Sequence, residues 1–319
     1  MTAASKFVPA IIGAVVVALL PFTLSGYKQA LATNVAIYFV AILGLNILTG
    51  YTGQFSIGHG AFMAIGGYTT VIMSHYHHTN LLATLPLSLA ITFACGILLG
   101  IPALRLSGVY LALATFALAV SVPQLPLKFS KFLGSSNGLQ ADHAVSHLWL
   151  YGVCWACAAI ALVLAWLLLR GRIGRAFRAV RDSEIAAASS GVSLPIYKTF
   201  AFGVSAAFAG VAGSLFVLAN NGFAQPYEFG VLLSLKILIG AAVAGFGSLW
   251  GVLAGAAFIG LLPEISSSVP VVGAAHGQDV VFGLALIVIM LVLPNGFVGL
   301  LVRVERAFNL AIKRASRSS

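Results

Sequence analysis

Long apolar runs separated by short polar stretches leave this chain few ways to fold. Ten can be marked, at roughly 8–25, 30–49, 59–74, 81–101, 108–122, 148–169, 199–219, 230–246, 249–265 and 279–294. Most approach the ~20 residues that a helix needs to cross the hydrocarbon of a bilayer. In lipid every backbone N–H and C=O must be paired within the protein, and a helix does this inside one segment. A barrel would show ~10-residue segments of alternating polarity, whereas these runs are continuous. The reading is an all-α polytopic membrane bundle of about ten segments, eight to ten of them full spans, forming a single transmembrane domain over 1–319. The third and fifth runs are short, which marks them as tilted, broken or re-entrant. The composition agrees, with 60% hydrophobic and 8% charged residues, where a soluble domain carries roughly 25% charge. Lys6 and the run behind it also fit the start of a secretory signal. The run continues to about Ser25 with no small-residue cleavage site, so it is read as a retained first span.

The basic residues sort by side. With the amino terminus inside, Lys6, Arg105, the five arginines of 170–181, Lys198, Arg303, Arg306, Lys313, Arg314 and Arg317 fall inside. Lys28, Lys128 and Lys131 fall outside. Cytoplasmic loops carry the excess of Lys and Arg. Both termini, the basic tail 295–319 and the loop 170–198 are therefore expected in the cytoplasm, with 123–147, 220–229 and 266–278 on the other side. The net charge of +10 sits at the ends of apolar runs, where it signals topology and meets headgroups. Membrane lipid, not nucleic acid, is the expected contact.

The loop 170–198 reads RGRIGRAFRAVRDSEIAAASSGVSLPIYK. Arg170, Arg172, Arg175, Arg178 and Arg181 suit headgroup anchoring. Asp182 or Ser183 can cap a helix through EIAAAS, Gly191 supplies a left-handed stop, and Pro195 prevents simple continuation. Two turns are marginal alone. The small, flat alanine face suits a groove on another protein.

The stretch GYTGQFSIGHGAFMAIGGY, 50–68, is too rich in glycine for a strong helix. It reads as a broken helix lining a solute path, with Gln54, Ser56 and His59 as the polar candidates; close packing at the start of a span is the alternative. His59 has no companion at ligand spacing, and His75, His77 and His78 read as a solvated loop, so no metal site is expected. Cys95, Cys154 and Cys157 lie in apolar runs and read as packing residues. Two stripes of small residues, Gly203, Ala206, Gly210, Gly213 and then Gly247, Gly251, Gly255, suit close helix approach. Lys236 is an ionisable group within a span, where such groups are paired or functional. It reads as pairing with Glu264 or Glu228, as snorkelling to the surface, or as part of the solute path. The chain has no P-loop and no His, Asp or Glu cluster within the spans to carry catalysis or a cofactor. Its acidic residues sit at segment ends and in loops, which argues against a self-sufficient proton- or sodium-coupled transporter.

Taken in order, these residues resemble the LivM-type permeases of branched-chain amino acid ABC importers. The resemblance runs from about Gly50 to Gly299. It rests on GYTGQFSIGHGAFMAIGGY, LRLSGVYLALATFA (104–117), GSSNGL (134–139), GRAFRAVRDSEIAAASSGV (174–192), YKTFAFGVSAAFAGVAGSL (197–215), GFGSLWG (245–251), LPEI (262–265) and LPNGFVGLL (293–301). It implies a non-catalytic permease subunit of the bacterial inner membrane that works by alternating access. Its partners would be a second related permease, two ATPase subunits that hold the ATP and magnesium, and a periplasmic or lipid-anchored binding protein. Asp182, Glu184, Ala187, Ala188 and Gly191 would belong to the helix that couples to the ATPase. Lys236 and the AAVAGFGS stretch depart from the family pattern, which keeps urea and short amides as alternative solutes.

Overall fold

The computed structural model describes residues 26–267 except 107, 135–137 and 142–145, together with 283–284 and 287. The first apolar run, nearly all of the tenth, most of 266–278 and the tail 295–319 lie outside the described residues. The elements are α1 (Gly26–Leu45), α2 (His59–His77), α3 (Leu81–Ala103), α4 (Val109–Ser121), α5 (His147–Arg170), α6 (Arg172–Asp182), α7 (Glu184–Ser189), α8 (Leu194–Ala219), α9 (Val231–Ala244) and α10 (Gly251–Ser267). A π-helical turn, Asn46–Tyr51, continues α1. Short helical turns carry α4 on to Lys128.

Six stretches among the described residues are long and apolar enough to cross a membrane: Gly26–Tyr51, Leu81–Ala103, Val109–Lys128, His147–Arg170, Leu194–Ala219 and Pro226–Ala244. The eight to ten full spans expected from the sequence are not reached among these residues. Helix α2 carries His59, His75 and His77 among its glycines, and the apolar part of α10 is short, Gly251–Leu261.

Helices α1 and α8 form the centre, most of each buried, while α3, α4 and α5 lie around them with about a quarter of each covered. Helix α8 packs on α3, α2 and α1; α1 also holds α5 and α10. The outer helices are built inside out. On α3 the buried positions are Leu81, Thr84, Ser88, Thr92, Gly96, Gly100 and Ala103, and Leu82, Leu87, Leu89, Leu98 and Ile101 face outward. Lipid tails are as apolar as leucine, so greasy side chains gain nothing by turning inward. Helices associate where small residues let backbones approach. A Cβ on Gly66 of α2 would lie 2.1 Å from the Gly210 carbonyl oxygen of α8. Ser214 fastens that contact by hydrogen bonding to the Gly66 carbonyl at 3.1 Å.

The loops gather at two ends. Leu139–Gln140 pairs antiparallel with Phe223–Ala224, which joins two loops that charge counting placed on one side. Tyr27 donates to Glu264 at that same end. The arginine loop, the 46–58 stretch and the 245–250 turn meet at the other.

Candidate solute path and coupling network

Where α1 runs out, the chain breaks. After the π-helical turn, residues 53–58 are non-helical and α2 starts only at His59. Freed backbone groups at such a break need partners, and they find them. The Gln54 amide donates to the Leu48 carbonyl at 3.3 Å. The Gln54 side chain donates to Thr52 Oγ1 at 3.0 Å and to the Lys198 carbonyl at 3.4 Å. The Ile57 amide donates to Thr115 Oγ1 of α4 at 2.9 Å. Gln54, Ser56 and His59 are all buried.

His59 reaches Ser205 of α8, Nε2 to Oγ, at 2.8 Å. Ser205 spends its own proton on the Gly44 carbonyl at 2.8 Å. His59 is therefore the donor, through Nε2–H, and its buried Nδ1 has no partner among the described residues. Ser205 lies eleven residues into α8, about 16 Å along a helix of about 39 Å, so this contact is near mid-depth. Helix α9 begins at the same level. The Gly60 amide donates to Ser234 Oγ at 2.9 Å, and a Cβ on Gly60 would lie 2.8 Å from the Phe229 carbonyl oxygen. Two helix starts thus meet inside the bundle, each presenting the positive end of its dipole. A cavity of about 370 Å³ opens beside Gly230 and Val231, lined also by Val120, Gln124 and Pro226. Lys236 sits half-buried on α9, two residues past Ser234. Glu264 accepts from the Tyr27 hydroxyl, and Glu228 accepts from the Asn220 side-chain amide at 3.0 Å.

The glycines of the first stripe stand at close contacts. A Cβ on Gly203 would lie 2.9 Å from Ile97, on Gly210 2.1 Å from Thr92 Oγ1, and on Gly213 2.0 Å from the Met63 carbonyl oxygen. The second stripe is not one helical face. Gly247 lies in the turn before α10 with φ +81°, and Gly251 opens the helix. A Cβ on Gly255 would lie 2.1 Å from the Gly240 carbonyl oxygen. A fourfold spacing read across a turn produced the apparent stripe. Among the cysteines, Cys154 is buried and Cys95 and Cys157 are half-buried, all free.

The arginine loop is two helices. Helix α6 is amphipathic and buries Gly174, Ala176, Phe177 and Val180, so this region does more than line headgroups. Ser183, not Asp182, caps α7, its Oγ accepting the Ala186 amide at 3.3 Å. Glu184 reaches Lys198 Nζ at 2.6 Å. Ala187 turns inward and is buried, whereas Ile185 is 82% exposed and Ala188 is exposed. The outward face of α7 is therefore Ile185, Ala186, Ala188 and Ser189. Gly191 has φ +82° with nothing within 4 Å of a Cβ. Asp182 is held by Arg181 at 3.1 Å.

Asn46, Thr115, Ser205 and Ser234 hold the break and the helix junction together, and the sequence reading did not single them out. Single polar residues in apolar runs were the available signal.

The fold and the buried break define a polytopic α-helical membrane protein whose interior is arranged around discontinuous helices. The family described as branched-chain amino acid transport system / permease component matches residues 29–291, and the chain belongs to that family. It is 33% identical over 276 residues to the high-affinity branched-chain amino acid transport system permease protein LivM of Salmonella typhimurium, covering 77% of this chain and 65% of that protein. The figures are the same for LivM of Escherichia coli. The chain thus spans about two thirds of the length of these relatives. It is 28% identical over 170 residues to the autoinducer 2 import system permease protein LsrC of Salmonella paratyphi B, covering 53% and 48%. No solved structure matches.

Proposed function

We propose that this chain is the membrane permease subunit of an ATP-driven importer for branched-chain or related amino acids, in the bacterial inner membrane with both termini cytoplasmic. It does no bond chemistry. ATP and magnesium would be held by two separate ATPase subunits. A second, related permease would complete the pathway, and a periplasmic or lipid-anchored binding protein would deliver the solute. The observation that carries the reading is the unbroken line of contacts from the arginine loop to the helix break. Glu184 of α7 holds Lys198, the Lys198 carbonyl holds Gln54, and Gln54 lies five residues before the start of α2 at His59. An ATPase bound to the exposed face of α7 would have a path of side chains into the bundle.

Alternating access would use this architecture. The segment 52–58, with Gln54 and Ser56, lies between the loop and the mid-depth junction at His59, so a shift of the loop would shift the wall of the proposed solute path. The helix starts at His59 and Val231 offer positive dipole ends for a carboxylate. Affinity purification of the tagged chain from mildly solubilised membranes is expected to recover an ATPase and a second permease. Recovery of the chain alone, with leucine uptake by that chain in liposomes lacking ATP, would overturn the proposal.

A further inference from the structure

We infer that Arg181 is a positioning residue that ties the loop helices to the break at 46–58, so that movement of the loop is delivered there. Its fellow arginines do other things. Arg170 stacks over the Trp166 ring at 4.8 Å. Arg178 donates to the Leu169 carbonyl at 3.3 Å, at the adjoining end of α5. Arg172 and Arg175 are exposed, as is Arg181, whose side chain keeps 39% of its surface in solvent. Arg181 instead reaches across to the π-helical turn, Nη1 donating to the Gly50 carbonyl at 3.1 Å.

That carbonyl is in the last turn of a helical stretch, where carbonyls lack intrahelical partners and the helix dipole is negative. A guanidinium satisfies both needs at once. The other edge of the fork holds Asp182, from Nε and from Nη2, each at 3.1 Å. Asp182 ends α6, and α7 starts two residues later. One planar group therefore fixes the junction of α6 and α7 to the end of α1, and its rigid fork is what a flexible ammonium lacks.

The surroundings are shaped to the side chain. A Cβ on Gly53 would lie 3.3 Å from Arg181 Cγ, and one on Gly247 would lie 3.2 Å from Nη1. Both glycines have positive φ. Asn46 closes the other side, accepting from the Gly247 amide and donating to the Ser248 carbonyl, both at 2.8 Å. Three stretches remote in sequence, 46–53, 181–182 and 247–248, meet at this one guanidinium. Breaking its bond to Gly50 loosens the last helical turn before the broken segment while leaving the packing of α6 through Phe177 and Val180 in place.

The inference rests on the importer reading for what is transmitted, and the test separates the two. The full chain, co-expressed with its partner subunits and reconstituted in lipid, is compared as wild type, Arg181→Ala, Arg181→Lys and Arg175→Ala. Arg175→Ala removes the same charge from the exposed face. Arg181→Ala is expected to raise amide exchange in 46–58 roughly ten-fold, the size of one charge-assisted hydrogen bond, with α3 unchanged. It is also expected to lower radiolabelled leucine taken up per ATP hydrolysed several-fold while hydrolysis continues. Arg181→Lys is expected to restore part of both, since one donor reaches Gly50 but does not also hold Asp182. Exchange in 46–58 matching that of Arg175→Ala overturns the tie and leaves the importer reading standing. Loosened exchange with an unchanged uptake-to-hydrolysis ratio overturns the transmission. Failure to recover any ATPase overturns the importer reading, whatever the exchange shows.

Discussion

Substituting alanine at Gly66 tests the packing logic at its tightest point. The new Cβ would lie 2.1 Å from the Gly210 carbonyl oxygen and 2.5 Å from Gly210 Cα. Both atoms are backbone, so no rotamer change relieves the clash. An ordinary contact begins near 3.4 Å, so α2 and α8 must part by more than 1 Å. Overpacking of this kind costs about 1–3 kcal/mol. Losing the Ser214 bond to the Gly66 carbonyl adds about 0.6 kcal/mol. Helix propensity offsets up to about 1 kcal/mol. Gly152 on α5 is the control, since nothing lies within 4 Å of a Cβ there, and Gly152→Ala keeps only the propensity gain. The two variants should therefore differ by roughly 2–4 kcal/mol. Heating the detergent-solubilised chain and measuring the folded fraction by size exclusion is expected to place Gly66→Ala roughly 5–10 °C below Gly152→Ala. Equal melting would refute the argument that this helix contact depends on a missing side chain.

Charge on α7 should act differently by face. Ile185→Asp is expected to keep the chain folded and reduce ATPase recovery in affinity purification, whereas Ala187→Asp buries a carboxylate without a partner and should cut the yield of folded protein in membranes. Ser205→Ala strands the His59 Nε2–H inside the bundle, and a melting assay should show a loss of about 1–3 kcal/mol. Glu184→Gln leaves Lys198, only 8% exposed, without its counter-charge; because Glu184 is half exposed the loss should be about 1 kcal/mol, read as a lower melting point that salt narrows. Asn46→Ala removes both bonds to 247–248 and is expected to cost about 2 kcal/mol in the same assay.

How far the sequence was legible depends on which force shapes each part. Apolar runs announce helices because lipid punishes any unpaired backbone, and the described helices other than α6 and α7 fall on the runs from 30–49 to 249–265. The alternation of sides came from Lys and Arg alone, and the pairing of Leu139–Gln140 with Phe223–Ala224 joins two loops it placed together. The break showed as glycine density around Gln54, Ser56 and His59. Its partners stayed hidden, because Thr115, Ser205 and Ser234 are isolated hydroxyls whose relevance depends on which helices touch. The arginines misled in a different way. Their shared charge favours a shared role at headgroups, and only the backbone geometry shows Arg181 turned towards Gly50 while Arg175 faces out. The Gly247 stripe failed because period-four spacing means a face only where the helix is continuous, and here a turn intervenes.

The polar residues of this bundle concentrate where its helices are interrupted. Outer helices in lipid are held by small residues and need few polar ones, as the buried stripe of α3 illustrates. A discontinuous helix has the opposite requirement. Interrupting the helical chain between Tyr51 and His59 frees several amides and carbonyls, and each one left unpaired where the chain is buried would cost about 1–3 kcal/mol. Thr49 takes the Gln54 carbonyl, Thr52 the Leu48 carbonyl, Thr115 the Ile57 amide, Ser234 the Gly60 amide and Arg181 the Gly50 carbonyl, while Asn46 and Gln54 tie the break to the Ser248 and Lys198 carbonyls. A continuous α1 or α2 would need none of them. The polar side chains are thus the cost of keeping two helix starts, His59 and Val231, inside the bundle, and their placement locates the part of the molecule whose shape the rest of the fold serves to hold.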